Sequence, residues 1–327
     1  MNSSRDSFSR AARSLSRRAV QRGRKLAYDY LRPVENREPA ITSIIRLRST
    51  DHLPRPHRTV RSVNDFLSGG KITQGTYAIW DNGLPIDMLL LTKQSDTLTV
   101  VLNGAGEPGV RLPWFSGANV LKGVATHRLS ISDPSLYLHP DLNLAWYAGN
   151  YRQPNLQEDL ARIIEHVARQ LKVRRILLMG GSGGGFASLV LGRLLPQSTV
   201  VAMNPQTDIE RYHEQHVKKY VDICWKGDHD AFRAATASTI WSLEAPAPDR
   251  KPAGKIFYLQ NTNDDFHVKN HLEPFEKNFD DMRGIYVWRH AWGAGHTPPP
   301  KDVITAVVTK AIDRDVEGLE YLGFTPI

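Results

Sequence analysis

A serine flanked by glycines is the clearest candidate for chemistry in this chain. Ser182 lies in the segment Gly-Gly-Ser-Gly-Gly at residues 180–184, which has the pattern of a nucleophile elbow. The apolar run at residues 175–179 predicts a buried strand before it, and the run at residues 186–195 predicts a helix after it. A tight turn between such a strand and helix lifts the serine hydroxyl clear of the sheet edge. We therefore interpret Ser182 as a candidate nucleophile.

Two other chemistries use glycine-rich loops, and the sequence around Ser182 argues against both. A phosphate-binding loop ends in Gly-Lys-Ser/Thr, whereas this loop continues into Gly-Phe-Ala at residues 185–187, without a lysine. A dinucleotide fingerprint that begins at Gly181 and Gly183 requires a third glycine where the chain has Phe186. Two interpretations remain, a nucleophile elbow or a glycine-rich turn with an incidental serine.

A serine nucleophile needs a base that takes its proton and an acid that orients the base. His296 is the predicted base, because it follows a Gly-Ala-Gly segment after the last predicted strand. Asp264 is the predicted acid, because it lies a few residues beyond the preceding strand. Asp265 stays open as an alternative acid. Asp208 is a further alternative, although capping of the following helix is its simpler role.

The oxyanion formed during acyl transfer needs backbone donors. The N–H of Gly183, directly after the candidate nucleophile, is one predicted donor. The turn Asn-Gly-Ala-Gly at residues 103–106 follows another predicted strand, and it offers the N–H of Gly104 or Ala105 as the second donor. A plain glycine turn is the alternative interpretation of this segment.

The remaining candidate ligands favour a solvated helix face over a metal site. His213 and His216 have helical spacing but no third ligand at a convincing distance, so we interpret them as part of a solvated helix face. His267 is one of several scattered histidines without an assigned role. Cys224 is the single cysteine, which excludes an internal disulfide and a cysteine metal cluster and suits a reducing compartment.

The positive charge is concentrated at the start of the chain. Residues 1–62 carry a net charge of +10, and the rest carries −2 of the total of +8. The body therefore has no strong nucleic-acid signal. The segment at residues 1–32 has three open interpretations: a basic amphipathic helix that binds an anionic membrane surface or polyanion, a solvated tail, or an organelle transit peptide. With no long apolar run, the sequence predicts a cytoplasmic protein and leaves open a peripheral membrane location.

Strands and helices alternate through the body and predict an α/β fold. We divide the chain into a basic arm at residues 1–70 and a catalytic domain at residues 71–327, with a helical cap or insertion at about residues 204–254. The predicted strands lie at residues 77–80, 84–91, 98–102, 126–131, 175–179, 199–203, 256–260 and 285–288, and the clearest helices at 155–171, 186–195 and 303–313.

Between residues 75 and 315 the chain resembles the α/β-hydrolase superfamily, with no subfamily identified. The resemblance depends on the elbow, on Asp264, on the Gly-Ala-Gly-His segment that ends at His296, and on the turn at residues 103–106. It implies a mostly parallel eight-stranded sheet, a Ser-Asp-His triad, and neither metal nor organic cofactor. The turn begins with Asn103-Gly where many lipases and esterases carry His-Gly, which does not favour a lipase.

These residues predict a serine hydrolase that cleaves an ester, thioester or amide of a small acyl substrate through an acyl-enzyme. An acyltransferase that uses the same three residues is the close alternative, because only the acceptor of the acyl group differs. A non-catalytic binding module on the same fold is the second alternative.

Overall fold

The computed structural model describes residues 46–236, 254–277 and 284–327. The strands of the described chain are β1 His57–Val60, β2 Gly75–Asp81, β3 Leu84–Leu91, β4 Thr97–Leu102, β5 His127–Ile131, β6 Arg175–Gly181, β7 Thr199–Met203, β8 Lys255–Asn261, β9 Ile285–His290 and β10 Thr325–Pro326. The α-helices are α1 Val63–Ser68, α2 Leu156–Gln170, α3 Gly183–Leu194, α4 Glu214–Cys224, α5 His229–Thr236, α6 Asp265–His267, α7 Glu273–Lys277, α8 Lys301–Asp313 and α9 Val316–Leu322. A 3₁₀-helix covers Pro134–Leu138, and a π-helical turn, Val268–Leu272, joins α6 to α7.

The strands form one sheet in the order β1-β2-β3-β5-β4-β6-β7-β8-β9-β10. The pairs from β5 through β4, β6, β7 and β8 to β9 are all parallel. β3 runs antiparallel to both of its neighbours, and a two-residue turn of Asn82 and Gly83, both with positive φ, connects it to β2. The carboxyl ends of the five strands from β4 to β9 therefore meet at one edge of the sheet.

Apolar side chains cover both faces of the sheet, as the alternation of side chains along a strand requires. In β6, Leu178 packs in the cluster that includes α2 and α3, whereas Leu177 and Met179 pack in the cluster that includes α8 and α9. Strands buried on both faces explain why the central strands are continuous apolar runs in the sequence. The predicted α/β class, a mostly parallel sheet between helical layers, is confirmed.

Among the described residues the sheet has ten strands, where eight were predicted. The two additional strands, β1 and β10, lie at the edges of the sheet. β1 has the sequence His-Arg-Thr-Val and no apolar run, and it pairs parallel to β2 through its backbone. β10 contains two residues and pairs antiparallel to β9. β1 and α1 lie within the arm predicted at residues 1–70, and β1 pairs with β2 of the sheet. The predicted helix or tail at residues 1–32 lies outside the described residues.

A buried ion pair ties the segment before β1 to the sheet. Arg48 donates hydrogen bonds from Nε and a terminal nitrogen to the carboxylate of Asp87, at 2.5–3.1 Å, and Asp87 is fully buried within β3. The hydroxyl of Tyr137 donates to the same carboxylate at 2.7 Å. Burial raises the pKa of Asp87, and the bonds from Arg48 and Tyr137 oppose that rise. Arg48 therefore stabilises the charged form of the buried Asp87 carboxylate.

We expect Arg48→Met to lower the free energy of unfolding by about 3–5 kcal/mol, because it leaves a buried charge without its partner. Urea denaturation measures the change. Arg61→Met is the matched control, since Arg61 is exposed, and a surface substitution of this kind changes stability by about 0.5 kcal/mol or less. A loss below about 1 kcal/mol in Arg48→Met would show that the pair does not anchor this segment.

The predicted insertion is helical where the structure describes it. α4 and α5 lie between β7 and β8, and the remainder of the insertion, residues 237–253, lies outside the described residues. Cys224, at the end of α4, is buried. Among the described residues, no helix is long and apolar enough to cross a membrane.

Candidate active site

The predicted site residues lie at the carboxyl edge of the sheet, on loops that follow neighbouring strands. Ser182 directly follows β6, the turn at residues 103–106 follows β4, Asp264 follows β8 and His296 follows β9. This edge is where ligands bind in open α/β sheets, because the loops there are free of the sheet's own hydrogen bonds. The strand order thus gathers residues that are up to 193 positions apart in sequence.

Ser182 forms a strained turn between β6 and α3. Its φ of 54° and ψ of −122° lie in a region that residues with side chains rarely adopt. It is the N-cap of α3, but its hydroxyl makes no capping bond to the helix. Its backbone N–H donates instead to the carbonyl of Met203 at 2.9 Å, which fixes the turn against β7. The hydroxyl is therefore left available for other partners.

Glycine is required at the elbow because the backbone segments touch. A Cβ on Gly180 would lie 2.3 Å from the backbone of Gly184. A Cβ on Gly184 would lie 2.2 Å from the carbonyl oxygen of Leu102, at the end of β4. No side chain fits at either position without moving a strand or the helix, so this flanking sequence is a structural requirement of the turn.

Asp264 and His296 are in direct contact. Nδ1 of His296 lies 2.6 Å from Oδ2 of Asp264 in an aligned hydrogen bond. Asp264 is 4% exposed, whereas the His296 side chain is 38% exposed and faces the solvent. Burial alone raises the pKa of Asp264, but the close His267 ring, the His267 backbone N–H and the hydrogen bond with His296 outweigh burial and hold this pKa well below its ordinary value. Asp264 is thus an ionised carboxylate that can orient the His296 ring.

His267 is a second histidine at this carboxylate, which contradicts its interpretation as a scattered residue without a role. Its Nδ1 lies 2.8 Å from Oδ2 of Asp264, at an angle too bent for an aligned hydrogen bond. Its ring is buried and stacks on the ring of His296, with centroids 4.0 Å apart. The sequence signal that could have found it is its spacing from Asp264, since three residues are one turn of a helix.

Gln206 is the hydrogen-bond partner of the candidate nucleophile. Its Nε2 donates to Oγ of Ser182 at 2.9 Å and lies 2.8 Å from Nε2 of His267. Within the described part of the chain, no hydrogen bond joins Oγ of Ser182 directly to His296. The structure therefore brings Asp264 and His296 into contact and connects Ser182 to the same cluster through Gln206 and His267.

The two alternative acids lie away from this contact. Asp265 is exposed in the first turn of α6. Asp208 accepts the backbone N–H of Glu210 at 2.8 Å and lies 3.8 Å from Arg211. Asp208 therefore holds the backbone at the start of the insertion, and Asp264 remains the proposed acid.

The predicted oxyanion donors lie beside Ser182. A Cβ built on Gly104 would be 3.4 Å from Cβ of Ser182, so the turn at residues 103–106 directly flanks the elbow. The N–H of Gly183 has no partner within its own helix, because it opens α3. The positive end of the α3 dipole also points at this position. The turn at residues 103–106 and the first turn of α3 thus bring backbone segments close to Ser182.

Two asparagines that the sequence analysis did not single out hold the His296 loop. The Asn261 amide donates to the carbonyls of Gly293 and Gly295 at 2.9 and 2.6 Å. The Asn204 amide donates to the carbonyl of Thr297 at 2.9 Å, and its oxygen accepts the N–H of Asn261. Their position at or just beyond the ends of β7 and β8 is the signal that could have identified them.

Asp264, His267 and His296 also form a group, among the described residues, whose possible metal-ligand atoms lie within 4.8 Å of one another. Ligand atoms around a tetrahedral zinc are about 3.3 Å apart, given bond lengths of about 2.0–2.2 Å. The two Nδ1 atoms lie only 2.6 and 2.8 Å from the shared oxygen of Asp264. Both distances are shorter than the spacing of zinc ligands, so these three atoms in their present positions do not match a tetrahedral zinc site.

The buried ring of His271, which contacts the ring of His267, should make the folded protein less stable in acid. Burial lowers the pKa of His271 to about 3, below about 6.5 for the unfolded chain. The unfolded state thus binds more protons below pH 6.5, and stability falls as the pH falls. We expect His271→Asn, whose amide oxygen can still accept the N–H of Thr207, to lose about 2 kcal/mol less unfolding free energy than wild type between pH 8 and pH 5. Urea titrations at both pH values measure this difference, and equal losses would contradict the prediction.

Comparisons with known proteins show similarity in structure but not in sequence. No protein-family model matches the chain, and no curated protein matches it. The structure resembles the capsule O-acetyltransferase of Neisseria meningitidis serogroup A, with a TM-score of 0.51 at 15% identity over 76% of this chain and 99% of that chain. It also resembles a puromycin hydrolase variant complexed with PGG, with a TM-score of 0.50 at 14% identity over 76% of this chain and 39% of that chain.

An S-formylglutathione hydrolase from Agrobacterium tumefaciens gives a TM-score of 0.48 at 13% identity over 76% of this chain and 95% of that chain. Identities this low establish a common fold and no more. The order of the parallel strands, the strand-turn-helix at Ser182 and the two likenesses at a TM-score of 0.50 or above lead to one conclusion: the chain has the α/β-hydrolase fold.

Proposed function

We propose that the protein is an enzyme that cleaves a carboxylic ester, or a thioester or amide, through an acyl-Ser182 intermediate. Oγ of Ser182 attacks the carbonyl carbon while His296 takes its proton. The tetrahedral intermediate then collapses, the bond to the leaving group breaks, and His296 gives the proton to the leaving group. Water, deprotonated by His296, attacks the acyl carbon and releases the acid. Asp264 orients the imidazole and stabilises its positive charge throughout.

The observation that carries the proposal is the strained Ser182 elbow beside the Asp264–His296 hydrogen bond. Strain in a non-glycine residue persists only where the surrounding structure enforces it, and here the glycine contacts at the elbow do so. The nearby turn at residues 103–106 and the start of α3 support the oxyanion. An incidental serine in a glycine-rich turn would need neither the ionised acid nor the exposed histidine.

Turnover of p-nitrophenyl esters from acetyl to palmitoyl tests the proposal and bounds the length of the acyl chain. We expect at least one ester to be cleaved with a rate that Asp264→Asn lowers by about 10⁴-fold, the effect of removing the orienting acid in a triad. If no ester, thioester or amide is cleaved, the binding-module alternative takes the place of the enzyme.

Acyl transfer to an alcohol is the second candidate. The exposed side of His296 leaves room for an acceptor larger than water, and the capsule O-acetyltransferase among the similar structures transfers an acetyl group. Mass spectrometry of a p-nitrophenyl acetate reaction with a panel of added alcohols and sugars distinguishes the two. An acetylated acceptor whose yield rises with acceptor concentration supports transfer, whereas acetate as the sole product supports hydrolysis.

A further inference from the structure

The amide of Gln206 contacts Oγ of Ser182, the reacting oxygen of the proposed mechanism, although Gln206 is not one of the three proposed triad residues. We propose that Gln206 is a further catalytic residue, whose N–H stabilises Oγ of Ser182 when this oxygen becomes the leaving group in deacylation, and that His267 is the positioning residue that holds Gln206 in place. This inference rests on the proposed acyl-Ser182 intermediate.

The orientation of the Gln206 amide follows from Trp146. The indole Nε1 of Trp146 can only donate, and it lies 3.1 Å from Oε1 of Gln206. The reverse orientation would place the amide nitrogen against the indole N–H, two donors facing each other. Oε1 therefore faces Trp146, and the two N–H groups of Nε2 face Ser182 and His267.

His267 accepts the second N–H of this amide. Since Nε2 of Gln206 donates to Nε2 of His267 at 2.8 Å, that ring nitrogen carries no proton, and the proton of the neutral ring is on Nδ1, next to Asp264. Burial lowers the pKa of His267, and the nearby His296 lowers it further, which keeps the ring neutral. His267 thus cannot take the proton of Ser182, and its role toward the serine passes through Gln206.

Trp146 is itself held in a fixed place. Trp146 and Tyr147 both have a φ of 54°, in the left-handed region that side chains disfavour. The N–H of Tyr147 donates to buried Asp133 at 2.7 Å, and the Tyr147 hydroxyl accepts the N–H of Asn103 at 2.8 Å. This strained pair therefore supports both the Gln206 amide and the start of the proposed oxyanion turn. Gln206 itself is fully buried.

The charge on Oγ decides in which step the Gln206 bond acts. During acylation Oγ loses its proton to His296 and its electron pair forms the bond to carbon, so its charge is dispersed. During deacylation the C–Oγ bond breaks, the electron pair returns to Oγ, and His296 then gives it a proton. In the acyl-enzyme Oγ is a weakly accepting ester oxygen, so the Gln206 bond strengthens as this step proceeds. Only such a difference between ground and transition state accelerates a reaction.

The kinetics of Gln206→Leu with p-nitrophenyl acetate test the proposal. We expect kcat and KM to fall together by about 10–100-fold, somewhat below the effect of removing an oxyanion donor. kcat/KM, which reports acylation, should stay within about threefold. Intact-mass spectra of acid-quenched reactions should show a larger fraction of acylated enzyme than in wild type. Gln206→Glu, which keeps an oxygen toward Trp146 but donates nothing to Oγ when ionised, should behave alike if the leucine variant does not fold.

A double-mutant cycle tests the role of His267. We expect His267→Phe, which keeps a ring against His296, to lower kcat without changing kcat/KM, and to have no further effect in Gln206→Leu. Additive losses would show that His267 does not act through Gln206. A variant at Gln206 with an unchanged kcat, or with equal losses in kcat and kcat/KM, would overturn the inference while Ser182 stays acylated. Absence of any acyl adduct in wild type under conditions of turnover would instead overturn the proposed function.

Discussion

Replacement of Ser182 by alanine is expected to lower kcat/KM for ester cleavage by about 10⁴–10⁶-fold, the range that triad nucleophiles show when removed. The acyl-enzyme cannot form without Oγ, and water in its place lacks the fixed position between the His296 ring and the oxyanion donors. The strained backbone of the elbow accepts alanine as well as serine, since both have a Cβ. The loss should therefore come with unchanged thermal unfolding, and steady-state kinetics with the preferred p-nitrophenyl ester measures it.

Ser188→Ala is the matched control. Ser188 lies in α3, the helix that follows Ser182. It is fully buried, and its hydroxyl donates a hydrogen bond to the carbonyl of Gly184 at 2.8 Å. Its removal should lower stability by about 1 kcal/mol and leave kcat/KM within about threefold. If Ser182→Ala retains more than a tenth of the wild-type kcat/KM, another residue is the nucleophile.

The two histidines at Asp264 are expected to differ by about a thousandfold in their effect on acylation. His296→Ala should lower kcat/KM by about 10⁴-fold or more, because the other imidazole at Asp264, that of His267, is bonded through Nε2 to the Gln206 amide. His267→Phe should leave kcat/KM within about threefold, since the proton-accepting role belongs to His296 and His267 contacts the serine only through Gln206. The 2.6 Å bond and solvent exposure of His296 also favour it as the base.

The same two variants also show whether His267, and not His296 alone, acts as the base. Both rings contact Oδ2 of Asp264, so a comparable loss from each would mean that they act as a coupled pair. A greater loss from His267→Phe than from His296→Ala would move the base to the buried ring. Thermal unfolding of both variants is the control for stability, because His267 is buried and His296 is exposed.

Local sequence patterns predicted the parts of the site that local structure determines. Ser182 lies between an apolar strand and a helix, and Asp264 and His296 each follow a strand, so the parallel order of β6, β8 and β9 places them at one edge. Gln206 could not be found in this way. It follows Asn204-Pro205 in a loop without periodicity, and its role depends on Trp146, which is 60 residues earlier in the chain.

The sequence likewise predicted those strands and helices that have a hydrophobic pattern of their own. Buried strands are continuous apolar runs, whereas β1 is a polar edge strand that pairs through its backbone alone, so its four residues gave no hydrophobic signal. The packing of the segment around Arg48 depends on Asp87, which lies 39 positions later in the chain. The basic composition of this segment did not indicate that contact. His267 lies one helical turn after Asp264. This spacing indicates a contact between the two side chains only once both are known to be buried.

Covalent labelling with a fluorophosphonate probe, followed by mass spectrometry of the digested protein, tests the central claim most directly. A nucleophilic serine activated by a base reacts with this phosphorus centre, whereas an ordinary hydroxyl does not. We predict one stoichiometric adduct on the peptide that contains Ser182, lost in Ser182→Ala and His296→Ala and retained in Ser188→Ala. An adduct on another residue, or undiminished labelling in Ser182→Ala, would contradict the assignment of Ser182 as the nucleophile.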